Sequence, residues 1–215
     1  MGPFLKQKML IARRVLLGGR LRLQSRRAAH LYVGGGGQSV RPGPSLARAV
    51  AEDEHYMRLA LDEARVARDL GEVPVGAVLV DDEGEVMARA HNTVETSTDP
   101  TAHAEMLCLR QASKRLESWR LLETTLFVTL EPCPMCAGAL LQSRVKRVVW
   151  GAPNKQLGAD GSWISILSSS ETDTKHPYHL SVDVTRNVLR EECSALLVDF
   201  FRRRREQNQE KRGEE

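Results

Sequence analysis

The chain has 215 residues, 41% of them hydrophobic, enough to bury the core of one domain with extensions, and no apolar run approaches the length of a membrane span. Its formal charge of +3 hides an asymmetry: residues 1–51 hold ten of the 31 Lys/Arg residues and no Asp or Glu, leaving 21 basic against 28 acidic residues, a formal −7, in the remainder. Basicity of the whole chain is therefore no argument for nucleic-acid binding.

Residues 1–51 read as a leader of transit-peptide composition, Arg-rich and acid-free, with an amphipathic stretch from Met9 to Leu17. Gly34 to Gly37 and Pro42-Gly43-Pro44 cannot hold regular structure and form a linker. A tail without targeting meaning has the same composition, and the scarcity of serine (Ser25, Ser39, Ser45) speaks against a plastid signal. The folded domain is expected over residues 52–206, followed by a charged tail at 207–215.

The domain opens on a helix, since Tyr56, Met57, Ala60, Leu61, Ala64 and Ala67 recur at helical spacing until Gly71 and Pro74 stop the run. Val75 to Val80 and Val86 to His91 then flank Asp81-Asp82-Glu83-Gly84 as two strands of a hairpin. Asn92 stands at the end of the second strand, where a polar side chain faces a pocket or simply makes a turn. Residues 103–116 form a helix with Thr101 as the expected N-cap, and Thr124 to Leu130 form a strand that leads into Glu131-Pro132-Cys133. A second helix runs to about Ser143, and Val145 to Trp150 is the next strand. Residues 153–178 show no clear period beyond a helical turn at Trp163 to Leu167. Leu180 to Val184 suit a last strand. A helix from about Thr185 sets Val188, Leu189, Cys193, Leu196, Leu197 and Phe200 on one side, before Arg202 to Arg205. Strands alternating with helices indicate an α/β fold: three layers, α/β/α, on one mixed sheet of about five strands.

Two short stretches concentrate the chemistry. His103-Ala104-Glu105 and Pro132-Cys133-Pro134-Met135-Cys136 supply one imidazole, two thiols and one carboxylate. Zinc accepts thiolate and imidazole, and three protein ligands leave a fourth position for water or substrate. Pro134 suits the first position of a helix, which puts Cys133 and Cys136 on one side of an opening turn. Residues two apart do not share a helix face, so Glu105 is free of His103 and available as a base. Taken singly, the CxxC pair also suits a redox dithiol, and a closed structural zinc site could recruit Cys108, Cys193 or His55. The conjunction, H-x-E followed by P-C-x-x-C, is the known signature of zinc deaminases. Cys108 and Cys193 lie in apolar segments and read as buried reduced thiols.

With these residues in hand, the chain from about Asp53 to Arg205 resembles the tRNA-specific adenosine deaminases of bacterial and organellar type, in the cytidine-deaminase-like superfamily. The likeness rests on Glu72-Val73-Pro74-Val75-Gly76-Ala77-Val78, Asp99 to Glu105, Thr129 to Ala139, and Asp199-Phe200-Phe201-Arg202. It implies a homodimer acting on a tRNA anticodon loop, typically the arginine tRNA with anticodon ACG, and converting the wobble adenosine to inosine. By that likeness one zinc ion is held by His103, Cys133 and Cys136, a zinc-bound hydroxide attacks the flipped-out adenine, and Glu105 shuttles protons. Asn92, Val75 and Ala104 would line the base pocket, while Asn154, Lys155, Phe201 and Arg202 would meet the RNA. Asn154 stands where bacterial members often carry an acidic residue, and residues 170–179 differ from the usual loop. A deaminase of a free base or nucleoside, guanine or cytidine, shares the zinc motifs and is the alternative. Eukaryotic enzymes of this type resemble plastid proteins, which favours the chloroplast over the mitochondrion, with the cytoplasm as destination if the leader is no transit peptide.

Overall fold

The structure is a computed structural model in which residues 46–167 and 182–213 are described. The leader through residue 45 and the segment 170–179 lie outside the described residues. The first helix, α1 (Leu46–Asp69), buries Tyr56, Met57, Ala60, Leu61, Ala64 and Ala67, the set expected from the helical period. It begins six residues before Glu52, and none of the side chains at 46–51 is buried. Strands β1 (Gly76–Val80) and β2 (Val86–His91) form the hairpin. A short helix, α2 (Val94–Ser97), follows, then α3 (Ala104–Arg115), β3 (Thr125–Leu130), α4 (Pro134–Ser143), β4 (Arg147–Ala152), β5 (Asp183–Thr185) and α5 (Arg190–Gly213).

The five strands form one sheet in the order β2-β1-β3-β4-β5. β1 is antiparallel to both β2 and β3, whereas β3, β4 and β5 run parallel. This is the mixed sheet of the expected α/β/α fold. Both faces are covered, and the alternation of the central strands divides the core. Ala77, Leu79, Leu126, Val128, Val148 and Trp150 face α3 and α4, in contact with Ala104, Cys108, Ala112, Ala137 and Leu140. Val78, Val80, Phe127 and Val149 face α1 and α5, against Met57, Ala60, Leu61 and Cys193. Burying a side chain of this size contributes roughly 1.5–3 kcal/mol each.

Close backbone approach fixes how α1 sits on the sheet. A Cβ at Gly76 would lie 2.1 Å from the Ala60 carbonyl oxygen, so only glycine lets helix and strand meet there. Arg147 ties the same helix to β4: its guanidinium donates to both carboxylate oxygens of Asp53, at 2.8 and 2.6 Å.

Several local expectations change. His103, in extended backbone conformation, is the N-cap of α3, and Thr101 instead closes a turn in which Asp99 accepts from its N–H and hydroxyl. Trp163 to Leu167 form bends and a bridge between Asp160 and Ser165, with no helix, because the N–H groups of Trp163 and Ile164 return to the Gly158 carbonyl and those of Ile166 and Leu167 to the Ala159 carbonyl. The last helix starts at Arg190, since Asn187 and Leu189 take positive φ and break the run from Thr185.

Candidate active site

The two ligand helices are built alike. His103 is the N-cap of α3 and Cys133 the N-cap of α4, both extended and neither using its side chain to cap its helix. The freed side chains point at one another: the Nδ1 atom of His103 lies 3.6 Å from Sγ of Cys133 and 3.4 Å from Sγ of Cys136. All three donor atoms fall within 4.8 Å of each other, and no further His, Cys, Asp or Glu joins them among the described residues. Cys108 is buried elsewhere, its S–H donating to the Ala77 carbonyl at 3.2 Å, and Cys193, on α5, packs against the sheet. A closed structural site using either is thereby ruled out.

The spacing is a test of fit for zinc. With Zn–S near 2.3 Å and Zn–N near 2.05 Å, tetrahedral ligands would stand about 3.6 Å apart in S···N. The observed 3.6 and 3.4 Å match, and the donor set of two sulfurs and one nitrogen suits this ion. Ligation through Nδ1 places the remaining imidazole proton on Nε2. The hydrogen bond from Cys136, then burial and the imidazole of His103, act on the Cys133 thiol with a net pull down to about 4. Cys136, the donor of that bond and deeply buried, is pushed up. His103 is raised, chiefly by its bond with Cys133. One thiolate is thus stabilised beside an imidazole at two converging helix N-termini, an electropositive setting that favours anionic ligands.

Glu105 sits in the first turn of α3, 4% exposed, and burial pushes its carboxyl above the usual range. It is not one of the clustered ligands. A carboxyl that holds its proton more tightly than a surface glutamate is suited to exchange protons near neutral pH.

A cavity of about 260 Å³ opens above these groups, lined by His103, Ala104, Glu105, Cys133, Val75, Asn92 and Asn154, among others. Asn92 is buried, with its N–H bonded to the Val75 carbonyl at 3.0 Å, so the two pocket residues are held as a pair.

Residues 50–152 match the family described as the cytidine and deoxycytidylate deaminase zinc-binding region. A tRNA-specific adenosine deaminase of Haemophilus influenzae is 47% identical over 155 residues, which cover 72% of this chain and 86% of that protein. The chain belongs to the tRNA adenosine deaminase family. A chloroplastic tRNA(adenine(34)) deaminase of Arabidopsis thaliana is 56% identical over 162 residues, 71% of this chain but only 12% of that much longer protein. A solved structure from work on A-to-I editing by tRNA:A34 deaminases at the wobble position of transfer RNA superposes with a TM-score of 0.60 at 41% identity, over 66% of this chain and 99% of its own. Enzyme class and zinc requirement follow from this membership together with the ligand geometry.

The structure sorts the remaining candidate residues of this deaminase. Lys155 and Phe201 line a second, more open groove with Asn154, Arg190, Leu197 and Arg205, adjoining the cavity at Val73 and Leu130. Arg202 lines neither; it is turned to Asp199, 2.5 Å away. Phe200 is buried at 8% exposure and Phe201 is 42% exposed, which assigns the first to the core and the second to the surface.

Two buried carboxylates of the site escape a reading of the sequence. Glu131, 1% exposed, accepts from the N–H groups of Asn154 (3.0 Å), Asp160 (2.9 Å) and Ser162 (3.3 Å) and from the Ser162 hydroxyl, and so shapes the loop beside the cavity. A Cβ at Gly158 would meet this carboxylate at 2.4 Å. Glu72 is the other. It stands between the helix stop at Gly71 and Pro74, and only its position in the motif shared with the family could have singled it out.

Proposed function

We propose that this chain hydrolyses adenosine to inosine at the wobble position of a tRNA anticodon, with the arginine tRNA of anticodon ACG as substrate. The observation that carries the reading is the three-ligand cluster with Glu105 buried beside it, on the floor of a pocket whose wall holds Asn92 and Val75. Zinc at such a cluster supplies Lewis acidity and activates water for attack on a ring carbon.

The chain's own residues do the rest. His103, Cys133 and Cys136 would hold the ion beside the cavity. Glu105 takes one proton from the attacking water and delivers it to the ring nitrogen, then takes the second from the new hydroxyl on the ring carbon and delivers it to the amine, so that ammonia leaves and the carbon keeps a C=O. Asn92 hydrogen-bonds the extruded base, and Val75 and Ala104 shape its slot. A loop nucleotide is already largely unstacked, which lowers the cost of bringing it into a closed pocket. Lys155, Phe201, Arg205 and, more weakly, Arg202 are assigned to the flanking nucleotides, and Asn154 bridges the pocket and that groove. The acting form is taken to be a homodimer, with an apolar groove of Met106, Leu109, Trp119 and Ala139 as the surface for the second copy. Trp119→Glu should shift the mass in solution toward the monomer, as read by light scattering.

Residues 52–206 are assigned as the minimal catalytic domain, because α1 before Glu52 and α5 after Glu206 add no buried side chain among the described residues. Residues 1–51 are assigned as an organellar leader, with the chloroplast as destination, supported by their composition and by the chloroplastic relative. A fluorescent fusion of residues 1–51 that stays in the cytosol would overturn that assignment. The function itself is tested by incubating one purified sample with a tRNA anticodon stem-loop, guanine and cytidine. Inosine in the RNA alone supports it, and turnover of only a free base or nucleoside replaces it with the other deaminase class.

A further inference from the structure

Glu72 has no part in metal binding, yet it is completely buried against the cavity. Its carboxylate accepts from two donors: the backbone N–H of Thr96 reaches Oε1 at 2.7 Å, and Nδ2 of Asn92 reaches Oε2 at 3.0 Å. A carboxylate offers only acceptors, so Asn92 must turn its NH2 end to Glu72. The opposite end of that amide, Oδ1, has no bonded partner among the described residues. No buried polar side-chain atom among them is left unpaired, so Oδ1 is reached from the cavity that Asn92 lines. Left to itself an asparagine amide can point either way; here the neighbour decides.

We infer that Glu72 is a positioning residue for deamination: its carboxylate locks the Asn92 amide so that the carbonyl oxygen, Oδ1, is held toward an entering nucleoside. This rests on the function proposed above, which places Asn92 against the base. Glu72 is well placed to stay ionised. Burial is the largest influence and opposes its charge, but the polar groups of Thr96 and Glu95 and the charge of Arg204 together outweigh it and hold the carboxyl below its ordinary value. The same bonds pin the start of α2, whose Val94 and Glu95 form part of the cavity rim. Glu95 in turn pairs with Arg204 at 3.5 Å, so the lock is also tied to α5.

The lock makes an unusual pattern of substitutions expected. In Glu72→Gln one side-chain oxygen becomes an NH2. The Thr96 N–H is fixed by the backbone and keeps the remaining oxygen, so Asn92 must flip and present its NH2 to the base. Asn92→Asp alone sets two carboxylates against each other. Combining Glu72→Gln with Asn92→Asp restores a donor on residue 72, an acceptor facing it, and an acceptor facing the cavity. Each single substitution should lower kcat/KM on an anticodon stem-loop by roughly ten- to a hundredfold with zinc content unchanged, and the double variant should recover most of that loss. Losses that multiply in the double variant, or wild-type turnover by Glu72→Gln, would overturn the inference. If Glu72→Gln fails to fold, recovery is read from Asn92→Asp against the double variant. The same cycle followed by thermal denaturation needs no substrate: there, too, the double variant should melt above both singles. A wild-type enzyme inactive on the stem-loop would refute the proposed function, while the melting cycle still decides whether the two side chains are locked.

Discussion

The floor of the pocket and its rim are held together by different physics. On the floor and wall, His103, Cys133, Cys136, Glu105, Asn92 and Glu72 are wholly or largely buried; His103 contacts both cysteines and Asn92 donates to Glu72, while Oδ1 of Asn92 faces the cavity. On the rim, Lys155, Phe201 and Arg205 are exposed, and the neighbouring Arg202 and Arg203 share one carboxylate, that of Asp199. Buried groups interact at low dielectric and in one geometry, whereas exposed charges are screened by salt and water. The chemistry should therefore fail completely when one atom is removed, and recognition should weaken by degrees.

The largest effect is expected on the floor. Cys133→Ala or Cys136→Ala removes one of three ligands, so zinc content and deamination should both fall to background, as read by elemental analysis and inosine formation. Full turnover without metal would break the comparison at its root. Glu105→Ala removes no ligand; zinc should stay near one per chain while the rate falls by about 10²–10⁴. Zinc loss equal to that of the Cys variants would show that Glu105 is a ligand after all.

Between floor and rim stands Glu131. Its carboxylate receives three N–H groups and one hydroxyl, so in Glu131→Gln at least one donor must face an NH2. We expect stability to drop by about 1–3 kcal/mol in denaturant titration. The tRNA KM should rise more than kcat falls, because the loop carrying Asn154 and Lys155 shifts.

On the rim itself the two neighbouring phenylalanines separate fold from recognition. Phe201→Ala should cost about 1–3 kcal/mol of RNA binding if its exposed ring stacks on a base. Phe200→Ala should instead lower folding stability by about 3 kcal/mol, since its ring is in the core. The smallest effect is electrostatic. Arg205→Gln should reduce the salt-dependence slope of tRNA binding by roughly 0.7–0.9 if it neutralises one phosphate. Arg202→Gln should change it less, because that guanidinium is already paired with Asp199. Equal slopes for both variants and the parent would move the RNA surface away from α5.

The metal site was legible before any coordinates because its constraint is local. Zinc requires soft donors at short spacing, and a proline opening a helix already places Cys133 and Cys136 together. The sheet and its two helical layers were legible for a similar reason, since the hydrophobic period of each element survives in the order of residues. Capping was misread at Thr101, a good N-cap type, because its hydroxyl was committed to Asp99 and the chain became helical two residues later. The stretch 163–167 was misread as helical because its N–H groups fold back on the Gly158 and Ala159 carbonyls, in a loop held by Glu131, which lies 31 residues from Ser162 in sequence.

Sequence alone determined which residues are gathered for the metal, which faces of the first and last helices are buried, and the strand-helix alternation that makes the layers. Those properties depend on residue type and on periods of two or 3.6. Only the tertiary structure decided that Arg205 and not Arg202 lines the groove, and that Glu72 and Glu131 are buried inside the site. A glutamate in a chain of letters looks solvated. Its burial becomes tolerable only when donors from distant segments close around the carboxylate, and that closure exists only in the folded molecule.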